Sequence, residues 1–137
     1  MLVTIHFIIA IAAALLVLYS DEQVFFWVLG KTKMIAPARV RFMHRSVTTG
    51  LTLLLITGGL LYSSAPEAFL STSTFVVKMV TIFALIINTY FIDRFSGIAV
   101  TRTFASLSHA ERIPLFITGA VSFAGWVTAL TCGLLIG

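Results

Sequence analysis

The sequence predicts an all-α fold: an integral membrane, antiparallel four-helix bundle forming a single transmembrane domain, with both termini on the non-cytoplasmic side. Three observations predict it. Of the 137 residues, 59% are hydrophobic and 10% charged, with a mean hydropathy of +1.07, whereas an average soluble domain carries about 25% charged residues. Four apolar runs, each close to the roughly twenty residues that cross a bilayer, use nearly the whole chain and leave no length for a catalytic head. Eight of the nine Lys and Arg side chains lie in the first and third connections. An antiparallel path puts those connections at one end, which the positive-inside rule makes cytoplasmic.

The first span is expected over residues 2–20; its 18 positions from Leu2 to Tyr19 rise about 27 Å, close to the hydrocarbon thickness. MLVTIHF lacks the basic start of a signal peptide, so this segment is expected to be retained. Asp21 and Glu22 mark the interface, Trp27 suits the headgroup zone, and Gly30 is a plausible stop if the helix runs on. Lys31, Lys33, Arg39, Arg41 and Arg45 follow, with Pro37 set against one unbroken helix. The second span is expected over 44–62. The next connection carries Pro66 as a turn signal and Glu67 as its only charge. The third span is expected over 74–92, and Arg94, Arg102 and Arg112 lie in the connection after it. The fourth is expected over 113–136, with Pro114 in its first turn, where the missing N–H costs nothing.

Several functions are excluded or disfavoured. The formal charge of +4 sits beside the spans, where orientation accounts for it, so the expected partner is the lipid bilayer and no nucleic acid. A lone cysteine, Cys132, rules out an intramolecular disulfide and any CxxC motif. No P-loop, Ser/His/Asp order or paired catalytic carboxylates occur, and no catalytic residue is assigned. Asp21, Glu22, Asp93 and Glu111 sit near the basic connections, and pairing with them needs no catalysis.

Helical spacing of about 100° per residue gives candidate inward faces. These are His44, Thr48, Thr52, Leu55, Gly59 and Tyr62 on the second span, and Lys78, Thr81, Asn88 and Thr89 on the third. Thr118, Ser122, Gly125, Ala129 and Cys132 form a small-residue seam on the fourth. Such a seam permits close helix approach, either to another span of the chain or to a homo-oligomer or partner subunit.

Lys78 is the one basic residue inside a span. A charge in hydrocarbon costs a few kcal/mol, about 2.5–3.5 at a helix centre, which makes such a residue a functional candidate by default. Its place about one turn inside the helix start also allows it to snorkel to the headgroups. His6 lies at the same depth on the first span. An imidazole and a neutral amine at one level are candidates for two axial ligands of a haem iron, or for holding a propionate or other anion. A second constellation at that level, with Met1, Met79 and Cys132 beside His6, offers soft donors to Cu(I). His44 and His109 at the opposite end are weaker candidates for a second haem, with His109 expected in a loop.

Four segments carry a resemblance spread over most of the chain: LVTIHFIIAIAAAL, TGGLLY, FVVKMVTIFALIIN and ERIPLFITGAV. They resemble the copper-resistance-D-like (CopD-like) superfamily of small four-span membrane proteins, which includes the HemJ-type protoporphyrinogen oxidases. The resemblance implies bound haem b, porphyrinogen oxidation, and a histidine and a lysine whose places here are His6 and Lys78; Glu111 and Pro114 also match. HemJ-like sequences carry an arginine-containing aromatic run after the first span, where this chain has YSDEQVFFWVLGK, and an asparagine where it has Ala110. Copper-resistance-D-like relatives are tied to copper uptake. The expected function is therefore that of a haem b or porphyrin-binding redox protein, with a HemJ-like oxidoreductase as what the resemblance implies, in a prokaryotic inner or plasma membrane. The alternatives are copper binding or transport, and a cofactor-free structural or assembly subunit.

Overall fold

The computed structural model describes residues 1–136. Four long helices, α1 (Leu2–Val28), α2 (Pro37–Ser64), α4 (Ser73–Thr101) and α5 (His109–Ile136), form the bundle. A short helix, α3 (Pro66–Leu70), and a 3-10 turn at Phe104–Ser106 lie in the connections. All four long helices are long and apolar enough to cross a membrane. At 27 to 29 residues they rise about 40–44 Å, some 10 Å or more beyond the hydrocarbon. The helices overrun the predicted spans mainly at the basic end, where α1 continues past Asp21 and α4 continues through Arg94.

Local chemistry sets the ends. Gly30 has φ of 73°, and the N–H groups of Lys31 and Gly30 donate to the carbonyls of Phe26 and Trp27 at 3.0 Å each. This Schellman closure needs a left-handed residue after the helix and stops α1 at the expected glycine. Pro37 opens α2, where no N–H is required. The start of α5 differs from expectation. Ser108 N–H donates to Glu111 Oε2 at 2.8 Å, and Glu111 N–H donates to Ser108 Oγ at 3.4 Å. This reciprocal cap starts the helix at His109. His109 is thus helical rather than in a loop, and Pro114 lies inside the helix.

Two hairpins, α1–α2 and α4–α5, make the bundle. In the first, a Cβ at Gly50 would stand 3.0 Å from Ala13 Cβ, so α1 and α2 touch almost backbone to backbone. In the second, a Cβ at Gly125 would meet Leu85 Cδ2 at 2.7 Å, and Asn88 Nδ2 donates to the Thr118 carbonyl at 2.9 Å. Thr118, Ser122 and Cys132 are buried. The small-residue seam therefore packs against α4 within the chain. Gly125→Val is expected to destabilise the protein by about 1–3 kcal/mol, the usual cost of overpacking. Gly97→Ala, where a Cβ meets nothing within 4 Å, serves as the silent control. Thermal unfolding in detergent that shows equal midpoints for the two variants removes the close-approach argument.

The inward face of α4 is as expected, with Asn88 buried and Lys78, Thr81 and Thr89 half-buried. That of α2 is not. Thr48, Thr52, Leu55 and Gly59 are exposed, whereas Met43, Leu51 and Thr57 are buried. The helix is rotated to bring Gly50 onto Ala13, and lipid accepts the apolar residues left outside. The bundle surface is correspondingly apolar, as at Ile8, Leu15, Phe83, Phe116 and Leu135.

At the basic end, Trp27, Ile35, Met43, Ala99 and Leu107 form a buried cluster. Trp27 is 1% exposed, so it is a core residue rather than a lipid-facing anchor. Its indole N–H donates to the Arg102 carbonyl at 3.0 Å, and its ring meets Phe104 edge-on with centroids 5.3 Å apart. Ile35 N–H donates to the Ala99 carbonyl at 2.9 Å, tying the first connection to α4. Arg102 pairs with Glu111 and His44 with Asp93. Asp21 and Glu22 have no such partner among the described residues. Between the hairpins, nearer this end, lies a cavity of about 150 Å³.

Candidate functional site

His6 is half-buried one turn into α1 and faces α2. Its Nδ1 lies 2.7 Å from Thr57 Oγ1. That hydroxyl also lies 2.8 Å from the Leu53 carbonyl, the same i−4 bond made by Thr52, Thr81, Thr89 and Thr131. With the hydroxyl's one proton given to the Leu53 carbonyl, its lone pair accepts from Nδ1–H. In that arrangement the neutral imidazole is the Nδ1–H tautomer with a bare Nε2 lone pair. This is how histidines that bind metals are oriented by a neighbouring acceptor. The ring lies over Gly58, where a Cβ would approach Cε1 to 3.4 Å.

Lys78 enters from α4 and is half-buried. A Cβ at Gly133 would stand 3.5 Å from its Nζ, so the amine rests against the backbone of α5. The buried Cys132 is the chain neighbour of Gly133 on α5. No carboxylate pairs with Lys78 among the described residues. Three helices thus contribute to one level of the bundle an imidazole, an amine with no carboxylate partner among the described residues, and a thiol.

Other candidates lie elsewhere. Met79 is 46% exposed and Met1 99%, so neither thioether joins this group. No cluster of three or more His, Cys, Asp and Glu with the spacing of a metal site occurs among the described residues. His44 faces Asp93 at 3.6 Å between Nε2 and Oδ1, while His109 is exposed at the start of α5.

Thr57, Gly58 and Gly133 are the site residues that the pattern of spacing missed. Thr57 and Gly58 lie within the segment TGGLLY, but the face assigned to α2 passed through Thr52 and Gly59 instead. Glu111, by contrast, has a plain structural role in capping α5 and pairing with Arg102.

Fold and site together define a four-span, all-α membrane bundle with a polar group inside its terminal half. The chain matches no protein-family model, and neither curated proteins nor solved structures give a significant match.

Proposed function

We propose that this protein binds haem b or a related porphyrin inside the membrane and serves as a redox protein, with His6 as the imidazole ligand and Lys78 as the amine ligand or propionate partner. The observation that carries the reading is the 2.7 Å approach of the Thr57 hydroxyl to His6 Nδ1, which, with that hydroxyl donating to Leu53, directs the free lone pair of the ring to Nε2. The donor set fits such a group. A partly buried amine with no carboxylate partner is a costly arrangement unless it is neutral or meets an anion, and axial ligation or a propionate supplies one or the other. Gly58 and Gly133 keep the surfaces beside the two side chains low.

A bound haem iron supplies reversible one-electron chemistry. The chain itself orients the imidazole through Thr57, holds the amine against Gly133, and excludes water with surrounding apolar helices. The resemblance to HemJ-type sequences supports the same two residues. The concentration of basic residues at the opposite end supports a cytoplasmic location for that end, with both termini facing the exterior side of a prokaryotic inner or plasma membrane.

The test is an absorption spectrum of detergent-solubilised protein expressed with haem supplied. A Soret band in wild type, lost in His6→Ala and altered in Lys78→Ala, is the expected result. An unchanged spectrum in His6→Ala, or no Soret band in wild type, overturns the proposal.

Cys132 favours a second reading. A buried thiol on α5 in the same terminal half of the bundle as the His6 imidazole is the soft donor that Cu(I) prefers, and stoichiometric copper lost in both His6→Ala and Cys132→Ser is its signature.

A further inference from the structure

We infer that the cavity between the two hairpins binds a single-ring aromatic molecule bearing a hydroxyl donor, of the phenol or hydroquinone class. The cavity reaches from Val17 to the basic-end cluster. Along α1, Val17 is about 16 Å from His6 at 1.5 Å per residue, so this is a separate place from the ligand site proposed above.

Size sets the scale. A dry cavity of about 150 Å³ accommodates benzene, and this one, partly open at its edge, has that volume, enough for one ring. The walls are of the right kind. Val17, Val47 and Ile35 supply apolar surface, Trp27 and Phe95 supply aromatic faces, and Met43 supplies a polarisable thioether, all of which favour an aromatic guest.

The polar atoms set a limit. Ser20, Thr89, Ser96 and Thr118 line the cavity, but each hydroxyl proton is already given to a helix carbonyl, of Leu16, Leu85, Asp93 and Pro114 respectively. What these four offer a guest is lone pairs; Ser122, which also lines the space, makes no side-chain hydrogen bond among the described residues and is the one lining hydroxyl with its proton unspent. The Asp21 carboxylate lines the same space and has no cation paired with it among the described residues. His44, the remaining ionisable wall residue, is turned to Asp93. The lining is therefore rich in acceptors, and it selects a guest that donates. A neutral hydroxyl reaches such a site from the membrane with little desolvation, whereas an ammonium ion loses far more hydration. An O–H donated to a carboxylate makes a short, strong bond.

The experiment uses the full chain in nanodiscs and fluorine NMR of three probes, 4-fluorophenol, 4-fluorotoluene and 4-fluorobenzylammonium. Wild type is expected to bind fluorophenol about tenfold or more tightly than fluorotoluene, the range for a hydrogen bond to a charged group. Asp21→Asn, which keeps the volume, removes that preference and leaves fluorotoluene binding unchanged. Gly119→Leu adds bulk at a lining position where a Cβ meets nothing within 4 Å, and it weakens both neutral probes. Equal binding of the two neutral probes to wild type, a preference that survives in Asp21→Asn, or tighter binding of the ammonium probe overturns the assignment. No haem enters the measurement, so its failure and that of the His6 and Lys78 reading are distinguishable.

Discussion

Trp27→Ala is expected to cost about 3–5 kcal/mol, the range for emptying a buried aromatic site. Trp27 is the largest fully buried side chain described, and four neighbours in its cluster come from elsewhere in the chain: Ile35, Met43, Ala99 and Leu107. Truncation leaves a cavity under both basic connections, removes the edge-on contact with Phe104, and strips the Arg102 carbonyl of its indole donor. The loss falls outside the hydrocarbon, so the connections open before the spans separate. Trypsin should then cut faster after Lys31, Lys33 and Arg102 in the solubilised variant, alongside a lower unfolding midpoint. Trp27→Phe, which keeps much of the apolar volume, should retain most of the protection. A Trp27→Ala protein with wild-type cleavage rates and midpoint shows that this cluster is not what holds the basic end together.

If His6 ligates haem as proposed, Thr57→Val lowers haem or porphyrin affinity by about 10- to 100-fold, the usual effect of removing the group that orients a ligating histidine. Valine keeps the shape of threonine but cannot accept Nδ1–H, so the ring loses both its tautomer preference and its angle. Thr52→Val provides the comparison. Thr52 makes the same i−4 bond to its own helix but is exposed, and its loss should leave haem titrations unchanged. If the two variants titrate alike, the Thr57 hydroxyl does not prepare His6 for a ligand.

The polar groups of this bundle separate into two levels with opposite characters. Near the termini, His6 and Lys78 offer an acceptor nitrogen and an amine, which suit a metal-centred group or an anion. Nearer the basic end, Asp21 and four spent hydroxyls make acceptors predominate, with Ser122 as the one unspent hydroxyl, which suits a neutral donor. The Ala13–Gly50 and Leu85–Gly125 contacts lie between these levels along the chain. They bind each hairpin internally, and the looser junction between hairpins is where the cavity lies.

The number of spans, their order and the shared depth of His6 and Lys78 followed from the amino-acid sequence alone. Hydrophobic length has to match a bilayer, and depth is residue count multiplied by a fixed rise. Helix rotation did not follow. In lipid the outer face is as apolar as the inner one, so periodicity carries little information about which side turns inward. The turn of α2 that brings Thr57 and Gly58 to His6, in place of Thr52 and Gly59, was decided by how closely Gly50 could approach Ala13. The Trp27 cluster was equally hidden, because its packing joins residues far apart in the chain and outside the membrane pattern, although the run of α1 on to Gly30 was legible in its apolar, aromatic residues. The Ser108–Glu111 cap was legible as a motif, yet Pro114 drew the predicted start of the fourth helix past it.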